Sequence, residues 1–438
     1  MQGLACPRCY VPLQELRCDA CAINFSQLGD VYWMWPDPVN ALLDWRNRFN
    51  FHLSKVEAEQ ARALADSEPI TRTRSNEHAK NLDKYSDEIR SILQAFNISE
   101  SLAPEIHSAL KTQLPDHHGL DAYNPNIFRD WVWGVDENQQ TCELIVQHIQ
   151  SPGDAEVLVL GAGAGRLAYD LHSSLSAGST WALDSNPLLA AIASVMFKGE
   201  AIEMTEFPLA PLKHRAIPHT LTSPGALTNL HSVCGDALAA PFAANSFDIV
   251  VTPWLIDVID NPLIQVLEHI ASLLKPGGIW INHGSLNFES AQPGERYTAD
   301  ELSTFAKNAG FKVQFQRDTT LPYLQSPYSR QKRVETTHTL ICTVKAPLNS
   351  RPKNTTWVPE WINNPSLPIP LEVEFQTQIT STRVANFIMG HLDGQRSISD
   401  IAEVMEAQRL MPKLDALGAI RNFLKKMQAE RLEQQRRG

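Results

Sequence analysis

Residues 157–171 read VLVLGAGAGRLAYDL, an apolar run that breaks at three alternating glycines and then resumes with helical spacing. A buried strand, a tight turn and a helix in immediate succession give that pattern. The alternation continues downstream: AEVLVLG, RLAYDLHSSL, GSTWALDSN and PLLAAIASVMF read as strand, helix, strand, helix. Strands joined through helices pair in parallel, and the helices cover both faces of the sheet. The chain is therefore expected to be α/β. Residues 201–230 carry too many prolines for a central helix and are expected to leave the sheet as an extended excursion. The sheet then resumes with LHSVCGDALAAPF, SFDIVVTPWLIDVI, the helix NPLIQVLEHIASLLKPGG and the strand IWINHGSL. A helix that Thr298 and Glu301 can cap follows, and KVQFQRD and THTLICTVK read as the last two strands.

The glycines are Gly161, Gly163 and Gly165. A dinucleotide fingerprint places its third glycine at position 166, where this chain has Arg166, and no Gly-Lys-Ser/Thr ending marks a phosphate-cradling loop. The ligand left by elimination is a nucleoside with a zwitterionic tail, S-adenosylmethionine, whose amino acid portion lies against glycine backbone. Two carboxylates stand where such a donor needs them. Asp184 ends the second strand about 20 residues after the loop, where a carboxylate accepts ribose hydroxyls. Asp236 follows the third strand, where it or the amide of Ala237 can read the adenine amino group. The expected donor set is Gly161, Gly163, Gly165, Arg166, Asp184, Asp236 and Ala237. The bland alternative is a generic turn with solvated aspartates.

At the other extreme of the chain, Cys6, Cys9, Cys18 and Cys21 form two Cys-x2-Cys knuckles eight residues apart. Four thiolates at that spacing suit one tetrahedral structural zinc ion, which supplies folding energy that so short a segment lacks. The closed sulfur set leaves no position for catalysis. The other three of the seven cysteines are scattered, which speaks against a disulfide framework. The domains expected are a zinc ribbon at 1–38, a helical cap at 39–122, the α/β domain at 123–346, a proline-rich linker at 347–370 and a small, mainly helical domain at 371–438. No apolar stretch approaches the ~20 residues of a membrane span, and no signal sequence opens the chain, so a cytoplasmic protein without membrane contact is expected. A net charge of −11 disfavours nucleic acid as a partner.

Over residues 123 to 346 the sequence resembles the class I S-adenosylmethionine-dependent methyltransferases, and within them the carnosine N-methyltransferase-like family. The resemblance rests on FRDW before the first strand, GAGAGRLAYDL, SFDIVVTPWLIDVI and LLKPGGIWINHGSL. It implies a Rossmann-like seven-stranded sheet. It also implies that Asp257 binds the imidazole of the methyl acceptor. The position suits that role, since open parallel sheets bind ligands beyond the C-terminal ends of their strands; a capping or surface aspartate is the alternative. Trp254 is either a pocket wall or core packing. Family members carry a Tyr-His pair after the fifth strand and a tyrosine-rich last strand; here stand Phe288, Glu289 and VETTHTL. These departures speak against the dipeptide as acceptor, though not against the methyl donor. His283 and Glu289 are candidates for the lost contacts near the pocket mouth, or solvated loop residues.

The expectation is an enzyme moving a methyl group from S-adenosylmethionine to an imidazole or amine of a small molecule or peptide, with Asp257, His283 and Glu289 as catalytic candidates. The absence of an Asn/Asp-Pro-Pro-Tyr motif argues against modification of adenine or a glutamine amide. Two alternatives stand beside it. The ribbon is similar to those ahead of some ribosomal-RNA methyltransferases, which would make it an RNA grip. A binding protein that senses S-adenosylmethionine is the non-enzymatic reading. HLDGQRSISDIAEVM is similar to winged-helix and peptide-chaperone modules and points to a protein partner for the C-terminal domain.

Overall fold

A computed structural model describes residues 3–97, 123–149, 153–259, 261–288, 293–345, 350–352, 360–363, 366–371 and 373–437. The chain divides into two compact units, Met1–Trp357 and Val358–Gly438. The first unit begins with short strands, β1 Arg17–Cys18, β2 Ile23–Asn24, β3 Ser26–Leu28 and β4 Val31–Trp33, and continues with helices α1 Pro38–Leu64 and α2 Arg72–Ile92. The helix Asn124–Phe128, a π-helical turn at Arg129–Trp133 and the helix Val135–Val146 lead to β5 Glu156–Leu160. Then come β6 Ser179–Asp184, β7 Ile202–Glu206, β8 Ile217–Leu221, β9 Leu230–Cys234, β10 Phe247–Pro253, β11 Leu274–Gly284, β12 Phe311–Tyr323 and β13 Arg333–Val344.

The main sheet has nine strands in the order β12-β13-β11-β10-β5-β6-β9-β4-β3. Counted from β5 and without the β7–β8 hairpin, seven of them lie in the order 3-2-1-4-5-7-6. The first five of these are parallel, and β13 runs antiparallel to β11. This is the Rossmann-like arrangement expected of a class I methyltransferase fold. Its alternation is two-sided: Val157, Val159, Val251, Ile281 and Ile341 belong to one core, and Leu158, Leu160, Val250, Trp280 and Leu340 to the other. Strands covered on both faces read as unbroken apolar runs for this reason.

Two features differ from the expectation. The sheet has nine strands rather than seven, because β4 joins the edge of β9 in parallel and β3 pairs antiparallel with β4. The proline-containing excursion at 201–230 includes a regular antiparallel hairpin, β7–β8, with Ile202 opposite Leu221 and Glu206 opposite Ile217. Pro218 is tolerated there because a two-stranded ribbon consists of edges only.

The α1–α2 pair starts at Asp37, whose side chain accepts the Asn40 N–H, with Pro38 in the first turn. Trp45, Phe49, Leu53 and Val56 from α1 and Leu82, Tyr85 and Ile89 from α2 enter the first of the two cores. Burial of each such side chain contributes about 1.5–3 kcal/mol. The second unit holds helices Val373–Gly390, Ile398–Ala407 and Lys413–Arg437 around Ile388, Ile401, Met405, Ala416 and Ile420. No strand lies among its described residues. No described helix is long and apolar enough to cross a membrane.

Candidate active site

The glycine loop leaves β5 with all three glycines at positive φ, 73° at Gly161, 59° at Gly163 and 90° at Gly165. Their surroundings differ. A Cβ on Gly165 would fall 2.7 Å from Ala193 Cβ and 2.8 Å from Phe197 Cζ, so this glycine lets the helix Pro187–Phe197 pack against the loop. A Cβ on Gly161 would fall 2.9 Å from Leu255 Cδ1. A Cβ on Gly163 would meet nothing within 4 Å. The loop is thus packed from behind at Gly165, touched by the β10 loop at Gly161, and open at Gly163.

Asp184 fixes the open part. Its Oδ2 accepts the Gly163 N–H at 2.8 Å, and its Oδ1 accepts the Asn186 N–H at 2.8 Å. Burial pushes this carboxyl up to about 6, against the lowering effect of hydrogen bonds from the backbone of Asn186, Gly163 and Ser185. Asp236 lies two residues beyond the end of β9 and caps a single 3₁₀ turn, Ala237–Ala239, through the Leu238 N–H at 2.8 Å. Ala237, half-buried, opens that turn.

Arg166 braces the loop from outside. Its Nε lies 2.9 Å from each oxygen of Asp170, its Nη1 donates to the Asp130 carbonyl at 3.0 Å, and its guanidinium sits 5.5 Å over the Trp131 ring. Trp131 Nε1 donates to the Ala164 carbonyl at 2.8 Å. Arg129 binds Asp130 at 2.8 Å and Glu137 at 3.2 Å. Burial works against the Arg129 charge, but the two carboxylates raise its pKa above the ordinary value. The RDW segment, which the sequence marks without a role, is therefore the scaffold of the glycine loop. Tyr123, six residues before it, has its phenol pushed up by burial and next by the charge of Asp184.

The acceptor candidates lie across the C-terminal ends of β10 and β11. Asp257 is 7% exposed; its Oδ2 accepts Ser285 Oγ at 2.5 Å and the Asn287 N–H at 3.0 Å. Two donors from one loop thus orient this carboxylate, two residues after the Leu255 that abuts Gly161. Trp254 has φ 49°, a region costly for a bulky residue. Its N–H donates to the His283 carbonyl at 2.8 Å, and only a glycine at 284 leaves room, since a Cβ there would be 2.8 Å from Trp254 Cα. The Trp254 ring rests on Tyr323 with centroids 4.2 Å apart.

His283 is not at a mouth. β11 continues through Gly284, so His283 remains inside the sheet, 0% exposed, with Nδ1 2.9 Å from Thr339 Oγ1. Burial, and then the nearby His338, lowers its pKa to about 4. Glu289 lies outside the described residues.

The ribbon brings Cys6, Cys9, Cys18 and Cys21 together, their sulfurs all within 4.8 Å of one another. The residues that sequence reasoning missed are Leu255, Ser285, Asn287, Tyr123 and Tyr323. Of these, only Ser285 and Asn287 had a signal: polar residues directly after a strand that ends in the ligand-binding edge.

The sequence model of the carnosine N-methyltransferase family matches residues 210–344, which include Asp236, Asp257 and the Trp254 loop. Over part of its length the chain is similar to carnosine N-methyltransferases. The enzyme of that name from Rattus norvegicus is 26% identical over 194 residues, 39% of this chain and 46% of the relative. The one from Dictyostelium discoideum is 25% identical over 309 residues, 62% of this chain and 63% of the relative. The chain therefore spans about half to under two thirds of the curated relatives it matches. Among solved structures, a SAM-dependent methyltransferase from Aquifex aeolicus aligns at TM-score 0.32 and 15% identity, over 56% of this chain and 100% of the other. Phosphoethanolamine N-methyltransferase 2 of Haemonchus contortus in complex with S-adenosyl-L-methionine aligns at 0.30 and 19%, over 45% and 42%.

Proposed function

We propose that this chain transfers a methyl group from S-adenosylmethionine to a ring or amine nitrogen of a small molecule or peptide. The observation that carries the reading is the opening at Gly163, whose N–H is bonded to the half-buried Asp184, with Leu255 of the segment that bears Asp257 lying against Gly161 of the same loop. The residues fit the donor. Gly163 leaves the space that a methionine moiety would occupy, Asp184 offers carboxylate oxygens to a ribose, and Asp236 and Ala237 stand at the end of the adjacent strand. The bound donor supplies an electrophilic methyl on a sulfonium. The protein contributes alignment, exclusion of water and a place for the proton.

In this reading Asp257 accepts a hydrogen bond from the acceptor, at the second nitrogen of an imidazole or at an N–H of the attacking amine. It stabilises the positive charge as that charge develops and then takes the proton. Ser285 and the Asn287 amide hold the carboxylate in one orientation throughout. Trp254 and Tyr323 wall the cleft beside it. His283, buried and bonded to Thr339, supports the strand rather than the chemistry. The four clustered cysteines are assigned one structural zinc ion, since sulfurs grouped so closely fit a single tetrahedral centre.

Incubation of the protein with tritiated S-adenosylmethionine and a fractionated cell extract tests the assignment. Counts should enter the small-molecule or peptide fraction. Label in RNA alone would replace the acceptor class, and donor binding without transfer to any fraction would leave a sensor rather than an enzyme.

A further inference from the structure

Closed tetrathiolate sites are commonly remote from chemistry, yet here the ribbon is joined to the sheet beside the adenine end of the candidate donor site. β4 lies in parallel on β9, with Val31, Tyr32 and Trp33 opposite Ser232, Val233 and Cys234. The pairing runs one residue further, where the Met34 N–H donates to the Cys234 carbonyl at 2.8 Å. Gly235 follows, its own N–H donating to the Asp184 carbonyl at 3.1 Å. A Cβ on Gly235 would stand 2.9 Å from the Met34 carbonyl oxygen. Ribbon backbone thus closes directly on the residue between β9 and Asp236.

A second set of contacts grips the far side of the same turn. The Ala5 N–H donates to the Pro241 carbonyl at 2.7 Å, and Leu4 bridges to Phe242. Arg351, 7% exposed, donates Nη1 to the Phe242 carbonyl at 3.3 Å and lies 4.5 Å over the ring of Tyr10 in the ribbon. Cys6 and Cys18 are buried in one apolar cluster with Leu238 and Phe242. Residues 234–242, which carry Asp236, are held between the ribbon on one side and the sheet on the other.

We infer that the ribbon is a wall of the donor site, and that metal loading of its four thiolates sets the affinity of that site for the donor. The inference rests on the methyl-donor reading for the identity of the ligand. The sheet that the ribbon forms by itself, β1–β2, has two residues per strand, too short to persist without an ion. Loss of the metal removes β4 and Met34 from β9, which leaves an unpaired sheet edge next to Asp236.

Calorimetry with S-adenosylhomocysteine is run on the full chain as zinc-loaded, chelator-stripped and re-loaded protein, together with amide exchange over residues 234–242. Stripping should weaken binding by about tenfold or more, an ordinary coupling between sites, and re-loading should restore it. Exchange in 234–242 should rise when the metal is removed. Gly235→Ala should keep one equivalent of zinc and still weaken binding by about tenfold, because the Met34 carbonyl must move. Stripped protein that binds within about twofold of loaded protein overturns the proposal, as does Gly235→Ala with parental affinity. If loaded protein binds no S-adenosylhomocysteine, the methyl-donor reading falls; the exchange data then decide, with unchanged protection overturning the coupling and raised exchange supporting it.

Discussion

On the β5–β6–β9 side of the sheet, the candidate site is made largely of backbone: glycines at positive φ, two N–H groups on Asp184, and the turn after β9 that Asp236 caps. On the β10–β11 side it is made of side chains brought in from separate loops, with Asp257 held by Ser285 and Asn287, and Trp254 resting on Tyr323. A backbone cradle tolerates little change but recognises a constant ligand. A side-chain cradle can be refitted to another acceptor while the first half is untouched. The departures at Phe288 and in β13 both fall on the second half, as that division leads one to expect.

The contrast breaks most visibly at the glycines. Gly163→Val is expected to leave a folded chain, because nothing lies within 4 Å of the new Cβ and the cost is confined to a branched residue at φ 59°, about 1–3 kcal/mol, while S-adenosylhomocysteine affinity falls by roughly 100-fold or more, ~2.7 kcal/mol. Gly165→Val should lower the melting temperature further, since at φ 90° its side chain would also collide with Ala193 and Phe197. Paired calorimetry and thermal melts separate the two. Equal affinities for parent and Gly163→Val would mean that the open face is not where the donor lies.

On the acceptor side, Asp257→Asn should retain donor affinity and lose turnover by about 100-fold, the scale on which a placed charge-stabilising group acts. Asparagine is nearly isosteric, so the loss reports charge. Turnover near the parental rate with an identified acceptor would make Asp257 a structural residue.

Much of the first half is legible in the sequence, because its parts are contiguous: apolar run, glycines and helix fall within one window, and Asp184 ends the next strand. The second half is not. Ser285 and Asn287 are 28 and 30 residues from Asp257, and no local periodicity links them. The positive φ of Trp254 is imposed by packing against Gly284 and leaves no trace in composition. Pro218 disguised the β7–β8 hairpin, and β3 and β4 are shorter than any periodic window, so their addition to the sheet could not be read.

Asp184 links the two kinds of construction, being a side chain that orders a backbone loop. Asp184→Ala should weaken S-adenosylhomocysteine by about 1.5–3 kcal/mol, the range for hydrogen bonds to a charged partner. The pH dependence has a defined sign. Burial raises this carboxyl to about 6 in the folded chain, so the acid form predominates below that pH and cannot accept both ribose hydroxyls. Affinity should therefore fall as pH drops through about 6 in the parent and stay flat in Asp184→Asn. Stability carries the opposite sign: a raised pKa means that ionisation is unfavourable in the fold, so this group's contribution declines as pH rises from the ordinary carboxylate range to about 6 and is lost above it. A parent profile that is flat from pH 5 to pH 8 would remove Asp184 from the ribose.

The smallest expected effect tests whether the acceptor half depends on its supporting hydrogen bonds. Ser285→Ala removes the 2.5 Å donor to Asp257 Oδ2 but leaves the Asn287 N–H in place. Asp257 is 7% exposed, so the freed lone pair is poorly hydrated, and one charge-assisted hydrogen bond of about 1.5–3 kcal/mol is lost. Part of that loss is recovered if the carboxylate turns toward the acceptor, which predicts a fall in kcat of about 3- to 30-fold, smaller than for Asp257→Asn. Donor affinity should not change, because Ser285 touches nothing on the glycine loop among the hydrogen bonds of the described residues. Ser285→Thr keeps the hydroxyl and should restore most of the rate. A drop in donor affinity for Ser285→Ala equal to its drop in kcat would show that the two halves of the site are not separable, since a hydroxyl on β11's loop would then be shaping a cradle made by β5.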